Sequence, residues 1–232
     1  MKKLSVIIPV YNEIRTIEEI IGRVKVADLH GLEKEIIVVD DGSTDGTREV
    51  LKNIPGIRYF FHEKNLGKGG AVKTGFKNAT GDILVIQDAD LEYDPQDYYE
   101  VIKPILDGKY KFVLGRRIQP SKDLRRHKSL YWLSWFGNLA ITLTTNILYL
   151  STAKEYSACY KAFEKGLVDS IRINSNGFEY DTELICKILK KGYKTTNVPI
   201  HYYPRSYVEG KKIGWKDGCK ILWATIKYRF VD

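Results

Sequence analysis

Acidic residues gather where the apolar runs of this chain stop. LSVIIPV (4–10) is followed by Tyr11, Asn12 and Glu13, with Pro9 inside its end. EIIVVD (35–40) opens into DDGSTDGT, which supplies Asp40, Asp41, Gly42 and Ser43. ILVIQ runs into DADLEYD, with Asp88, Asp90, Glu92 and Asp94. One acidic strand end is an ordinary helix cap. Three at one sheet edge concentrate negative charge, which is costly unless a cation or a polar ligand compensates. Asp88-Ala89-Asp90 is the most informative of the three. Two carboxylates separated by one small residue can hold a hard divalent cation through oxygen ligands, leaving its other positions to phosphate and water.

GKGGAVKTG (67–75) is Gly-rich but fits neither the GxxxxGK[ST] phosphate loop nor the dinucleotide fingerprint. Two readings stay open there. Lys68 at a helix start helps hold an anion, or the glycines let a helix approach a sheet closely.

The elements that must carry these residues are short apolar strands alternating with helical periodicity. Runs at 4–10, 35–40, 57–61, 82–87 and 111–115 read as strands, and the continuous apolar character of three of them predicts burial on both faces of a parallel sheet. Ile14, Ile17, Ile20, Ile21 and Val24 form one apolar helical stripe. Asp94 and Pro95 make an N-cap and first-turn pair for a helix through Val101 and Ile105. Such βαβ alternation gives an α/β fold whose ligands bind beyond the carboxyl ends of the strands. Later elements are a strand near Tyr156–Phe163, a helix over Asp181–Lys191, a strand near Thr195–Tyr203 and an amphipathic C-terminal segment.

Composition narrows the class. With 232 residues, 44% apolar and 28% charged, the chain suits one α/β unit and excludes a disordered polymer. The formal charge of +8 fits phosphorylated ligands or anionic lipid. A nucleic-acid binder ranks low, because no recognised module with interleaved aromatic and basic residues appears. Cys159, Cys186 and Cys219 are scattered, which fits a reducing compartment rather than a zinc site or a disulfide framework. The apolar run at 4–10 is short for a signal peptide and lacks a cleavage site, so it reads as a buried strand of a protein that is not secreted.

VIIPVYNE, VDDGSTDGT, NLGKGGAVKTGF and DADLEY, in this order and spacing, resemble the family 2 glycosyltransferases of GT-A fold, and more closely their dolichyl/polyprenyl-phosphate hexose synthase branch. The resemblance implies a Rossmann-like, mostly parallel sheet between helices, with amphipathic helices added in the C-terminal half. It spans a single domain over 1–232, with a donor-binding half at 1–118 and an acceptor half at 119–232. It places Pro9, Tyr11, Asn12, Glu13, Asp40, Asp41, Gly42, Ser43 and Lys68 around the donor. Asp88, Asp90 and Glu92 match the family positions that bind Mg²⁺ or Mn²⁺ with the diphosphate, and Asp88, Ala89 and Asp90 also count among the donor-binding positions. Arg117 matches an arginine near the acceptor phosphate. PRSYVEGKKIGW resembles a basic loop whose Arg205, Lys211 and Lys212 would close over donor phosphates. Related proteins tend to carry Asp a few residues before CYK (159–161), where this chain has Glu155.

The implied reaction is inverting transfer of a hexose from a GDP-mannose or UDP-glucose type of donor to a polyprenyl or dolichyl phosphate, whose oxyanion needs no strong base. A soluble transferase acting on a glycan or protein hydroxyl is the alternative. It would require a carboxylate base, and Glu179 or Asp181 in FEYD are the candidates, each equally readable as a cap of the following helix. A binding protein with a decayed site is a further reading, against which the intact acidic set argues. The uncharged run 130–150 is about 30 Å long if helical. It reads as an interfacial helix with Trp132 and Trp135 at headgroup depth and Lys122, Arg125, Arg126 and Lys128 facing anionic lipid, as a cover for the sheet or a dimer contact, or as a span. The expected location is the cytoplasmic face of a membrane, with homo-oligomerisation open.

Overall fold

The computed structural model describes residues 2–118, 128–204 and 215–231, except for the side chains of 118, 128–135 and 215–217. Seven strands form one sheet: β1 (Lys3–Val10), β2 (Glu33–Asp40), β3 (Arg58–Phe61), β4 (Ile83–Ile86), β5 (Phe112–Ile118), β6 (Lys161–Glu164) and β7 (Thr196–His201). Their order is β3-β2-β1-β4-β6-β5-β7. Neighbours are parallel except where β6 runs antiparallel between β4 and β5. The carboxyl ends of β1, β2, β4, β5 and β7 therefore share one edge. Strands from both sides of residue 118 enter this sheet.

The central strands are buried because they are apolar on both faces. Val6, Ile7 and Ile8 of β1 and Leu84 and Val85 of β4 are inaccessible to solvent. Each such side chain contributes about 1.5–3 kcal/mol relative to leaving it exposed. Helix α1 (Ile17–Val26) buries Ile17, Ile20, Ile21 and Val24, as its spacing predicts. Ile14 departs from that stripe. It precedes the helix, is 43% exposed, and its N–H donates to Asp45 at 3.1 Å.

Helix α2 (Thr47–Lys52) follows β2, and α3 (Lys68–Asn78) lies against β1. The packing reading of the Gly-rich segment is visible here. A Cβ at Gly75 would collide with Ile7, and one at Gly69 would lie 2.6 Å from Cβ of Tyr180. Asp94 caps a short 3₁₀ turn at Pro95–Asp97 by accepting from Gln96 N–H at 3.0 Å, and α4 (Tyr98–Leu106) continues from it.

Helix α5 (Lys128–Tyr149) precedes β6, and α6 (Lys165–Asp169), α7 (Glu179–Lys190) and α8 (Trp215–Phe230) follow it. The strand expected from Tyr156 is realised only at 161–164. Before it, backbone groups bond to side chains instead: Lys154 N–H donates to Asn197 and Cys159 N–H to the Tyr93 hydroxyl. Helix α7 begins at Glu179, two residues earlier than its pattern suggests. Helix α5 packs on α7 and α8, burying Ile141, Thr145 and Tyr149, with the Tyr149 hydroxyl on the Thr225 carbonyl at 2.9 Å. Its other face exposes Phe136, Leu139, Leu143 and Ile147. Among the described residues no helix is long and apolar enough to cross a membrane, so the spanning reading of 130–150 is set aside. The side chains of Trp132 and Trp135, and residues 122–127, lie outside the described residues.

Candidate active site

Strands β3, β2 and β1 lie in reverse chain order, and β4 is added on the far side of β1, so the strand order reverses between β1 and β4. That is where an open α/β sheet leaves a ligand crevice. The loop after β1 is shaped by Asn12, whose φ of 53° is the left-handed conformation that Asn tolerates better than most residues. Its Oδ1 accepts from Thr44 N–H at 2.8 Å, and its own N–H donates to Ser43 Oγ at 2.9 Å. Pro9 is buried, while Tyr11 is 38% exposed on the rim.

Asp40 and Asp41 serve as scaffold in this structure. Asp40 is fully buried and gripped by Arg48 through Nε at 3.1 Å and a terminal nitrogen at 2.9 Å. Its carboxylate is thus engaged by Arg48 and shielded from solvent. Asp41 accepts from Leu66 N–H at 2.9 Å and Gly67 N–H at 2.8 Å, and its Oδ1 is 2.7 Å from Nδ1 of His62. Gly42 has φ 78°, and a Cβ there would stand 2.7 Å from the backbone of Lys64 and Asn65. Glycine is required for that close approach. Glu13 anchors the same corner through its N–H on Thr47 Oγ1 at 3.1 Å.

After β4, Asp88 carries an ion pair with Lys68 Nζ at 2.5 Å. Burial pushes the Asp88 carboxyl up, but the Lys68 ammonium outweighs it and the carboxyl is held below its usual range. At Asp90, burial, then the like charges of Asp88 and Glu92, raise the carboxyl. The Glu92 N–H and the Lys68 ammonium pull the other way but do not prevail. Ala89, between them, is 4% exposed. A half-buried pair of hard oxygen donors, one of them raised by burial and by its like-charged neighbours, suits a divalent cation, which would relieve that repulsion. The three-carboxylate ligand set is not assembled, however. Among the described residues no group of three His, Cys, Asp or Glu side chains is placed to hold a metal ion. Lys68 engages Asp88, and the Glu92 carboxylate lies near the Tyr202 hydroxyl, which it helps to push up.

Arg117 stands at the carboxyl end of β5, on the same edge as this loop. Its Nε is 2.5 Å from Glu155 Oε1, its backbone N–H donates to Glu155 Oε2 at 2.9 Å, and its guanidinium lies 5.1 Å from the Tyr202 ring centre. Glu179 turns back on its own helix start, with Oε1 3.3 Å from Gly177 N. Asp181 does not cap α7. Its Oδ2 pairs with Lys161 Nζ at 2.8 Å, while Oδ1 is buried with no hydrogen-bond partner. Arg205, Lys211 and Lys212 lie outside the described residues.

Sequence reasoning gave Lys161 no role, although it is 2% exposed and beside both Asp181 and the acidic loop. A lysine in a strand that is otherwise apolar was the available signal. Tyr202 was equally unmarked, because its partners come from β5 and the loop after β4.

A mostly parallel sheet with this strand order, flanked by helices and carrying its acidic loop at the switch point, is a GT-A nucleotide-sugar-binding fold. The family described as Glycosyl transferase family 2 matches residues 5–172. The chain belongs to that family. It is 31% identical over 220 residues to a dolichol-phosphate mannosyltransferase of Pyrococcus furiosus, covering 91% of this chain and 60% of that protein. It is 28% identical over 215 residues to glycosyltransferase AglD of Haloferax volcanii, covering 88% of this chain and 33% of that protein. The chain thus spans between a third and three fifths of the length of these two relatives. An uncharacterized protein of Methanocaldococcus jannaschii is 30% identical over 232 residues, with 97% of this chain and 91% of that protein covered. Among solved structures, glucosyl-3-phosphoglycerate synthase from Mycobacterium tuberculosis, in complex with Mn²⁺, UDP and phosphoglyceric acid, superimposes with a TM-score of 0.72 at 22% identity. The match covers 98% of this chain and 78% of that one. At that identity the likeness concerns the fold.

Proposed function

We propose that this chain transfers a hexose, with inversion, from a nucleotide-diphosphate sugar of the GDP-mannose or UDP-glucose type to a polyprenyl or dolichyl phosphate. The observation that carries the reading is the meeting of opposite charges at one sheet edge, the Asp88–Asp90 loop on β4 and the Arg117 guanidinium on β5. The acidic pair suits a cation-bridged diphosphate, and the guanidinium suits a phosphate monoester. Asp88 and Asp90 are the residues that would hold the cation, and Lys68, paired with Asp88 in its absence, would be left to face the donor phosphates. When bound, Mg²⁺ or Mn²⁺ neutralises the charge growing on the departing nucleoside diphosphate. Arg117 orients the acceptor phosphate, whose oxyanion attacks the anomeric carbon without a base. Tyr11, Asn12 and Ser43 would border the nucleoside, and the resemblance assigns Arg205, Lys211 and Lys212 to the donor phosphates.

The exposed apolar residues of α5, continued by Trp223 and Phe230 on α8, support peripheral association with the membrane that carries such an acceptor. The kinship with a dolichol-phosphate mannosyltransferase supports the lipid acceptor as well.

One observation favours the hydroxyl-acceptor alternative, namely the unpartnered Oδ1 of Asp181, a carboxylate oxygen available to a proton. The ion pair with Lys161 argues the other way, since it already engages that carboxylate through Oδ2 at 2.8 Å. A panel of radiolabelled nucleotide sugars with polyprenyl phosphate, in Mg²⁺, Mn²⁺ or EDTA, tests the proposal. Metal-dependent label in the organic phase is the expected result. Label only in water-soluble glycan, or released as free sugar, overturns the lipid acceptor.

A further inference from the structure

Arg117 is one of the most firmly held charged side chains in the described structure, and its principal partner is an acid the proposed reaction does not use. Glu155 is 5% exposed and clamps Arg117 twice, taking Nε at 2.5 Å and the backbone N–H at 2.9 Å. Burial opposes the charge on Arg117. The charged and polar groups around it, Tyr93, Glu155 and Tyr202, more than restore it. The clamp is itself anchored. Asn197 of β7 donates from Nδ2 to the Glu155 carbonyl at 2.8 Å and accepts Lys154 N–H on Oδ1 at 2.6 Å. The loop bearing Glu155 is thereby fixed to the strand that pairs with β5.

A second arm runs from Arg117 to the acidic loop. The guanidinium lies over the Tyr202 ring, and the Tyr202 hydroxyl is pushed up by burial and by the neighbouring Glu92 carboxylate. Backbone contacts make this arm rigid, with Tyr203 N–H on the Glu92 carbonyl at 2.8 Å and an antiparallel bridge between Tyr93 and Tyr202. Tyr93 closes the ring of contacts, its hydroxyl accepting Cys159 N–H at 3.2 Å and its ring lying 5.2 Å from that of Tyr202. With Glu155 on Nε and the main chain, and Tyr202 on one side, the guanidinium has a single orientation.

We infer that Glu155 is a positioning residue, which fixes the Arg117 guanidinium so that its remaining N–H groups present one geometry to an incoming phosphate monoester. The inference rests on the proposed role of Arg117 in acceptor binding. It differs in sign from mere charge compensation. A carboxylate that only offset the arginine would weaken anion binding, so that its neutral isostere would bind the anion more tightly. A carboxylate that orients the fork improves binding despite its own charge, because the orientation is set before the ligand arrives.

The probe is farnesyl phosphate titrated calorimetrically into the full chain with Mg²⁺ present, alongside UDP and GDP titrations and melting temperatures. Glu155→Gln is expected to weaken farnesyl phosphate roughly tenfold. Nucleotide affinity stays within error, any fall in melting temperature notwithstanding, and Glu155→Asp recovers most of the loss. Asn197→Ala leaves both charges in place and loosens only the loop. It is expected to give a smaller loss of the same kind, and it decides the matter if Glu155→Gln does not fold. Unchanged or tighter farnesyl phosphate binding by Glu155→Gln overturns the inference, as does an equal loss for nucleotide and lipid phosphate. Arg117→Ala separates the two readings. If it weakens farnesyl phosphate and Glu155→Gln does not, only the positioning role fails. If Arg117→Ala has no effect, acceptor binding at Arg117 fails with it.

Discussion

Lys68 and Asp88 form an ion pair that leaves the proposed cation site with a built-in positive charge. Moving Lys68 to the donor phosphates exposes Asp88 together with Asp90 to a divalent ion. Asp88→Asn removes both partnerships and is expected to lower turnover by roughly 10²-fold or more, measured as metal-dependent label transfer. Asp181 gives the residue-scale test of acceptor type. If the acceptor is a phosphate, Asp181→Asn retains measurable transfer and an unchanged pH profile on the acid side. If it is a hydroxyl, the substitution abolishes transfer and the acid limb with it. Lys161→Met removes the ion pair of Asp181 and leaves a mostly buried carboxylate, which is expected to cost roughly 1–3 kcal/mol in urea denaturation.

Two buried glutamates join elements and make the stability of the fold acid-sensitive. Glu183 of α7 is fully buried. Burial pushes its carboxyl up, but Lys187 and the N–H groups of Asn174 and Ser175 bring it down to about 2. Glu35 of β2 behaves likewise, since burial is outweighed by Ser5, Thr80 and Arg58 and its carboxyl also falls to about 2. Both are depressed relative to the unfolded chain, so the unfolded state binds more protons and stability rises with pH. Their contribution is complete above the ordinary carboxylate range and is lost as pH falls from about 4.5 toward 2. Thermal melting across that interval is expected to drop steeply, and Glu183→Gln is expected to flatten part of the drop. A slope as steep in Glu183→Gln as in the parent would reject the assignment. At the α3–β1 contact, Gly75→Ala is expected to cost about 1–3 kcal/mol through overpacking against Ile7.

Across the whole molecule, the sheet edge carrying the charges and the exposed apolar face of α5 and α8 define the proposed meeting of a water-borne donor with a lipid-borne acceptor. Leu143 and Ile147 are 52% and 73% exposed on α5. Replacing both by Glu is expected to lower co-flotation with anionic phospholipid vesicles roughly tenfold, while farnesyl phosphate binding is retained. Unaltered flotation would assign that face to another partner.

Much of this was legible before any coordinates. Continuous apolar runs specified the parallel core, because a strand covered by helices on both faces has no polar side. The Asp94-Pro95 pair gave the start of the 95–106 helical segment, since capping is chemistry between near neighbours in the chain. The motif order led to the family and to the carboxyl ends of the strands as the place to look. What the sequence left open were pairings between distant residues. Asp40 and Asp41 look like ligands beside a Gly-rich turn, yet Arg48, His62 and the 66–67 backbone take them up. Glu92 faces Tyr202, Lys161 holds Asp181, and Glu155 holds Arg117. A carboxylate's role follows from which cation or N–H the fold brings to it, and only the tertiary arrangement of β5, β6 and β7 decides that.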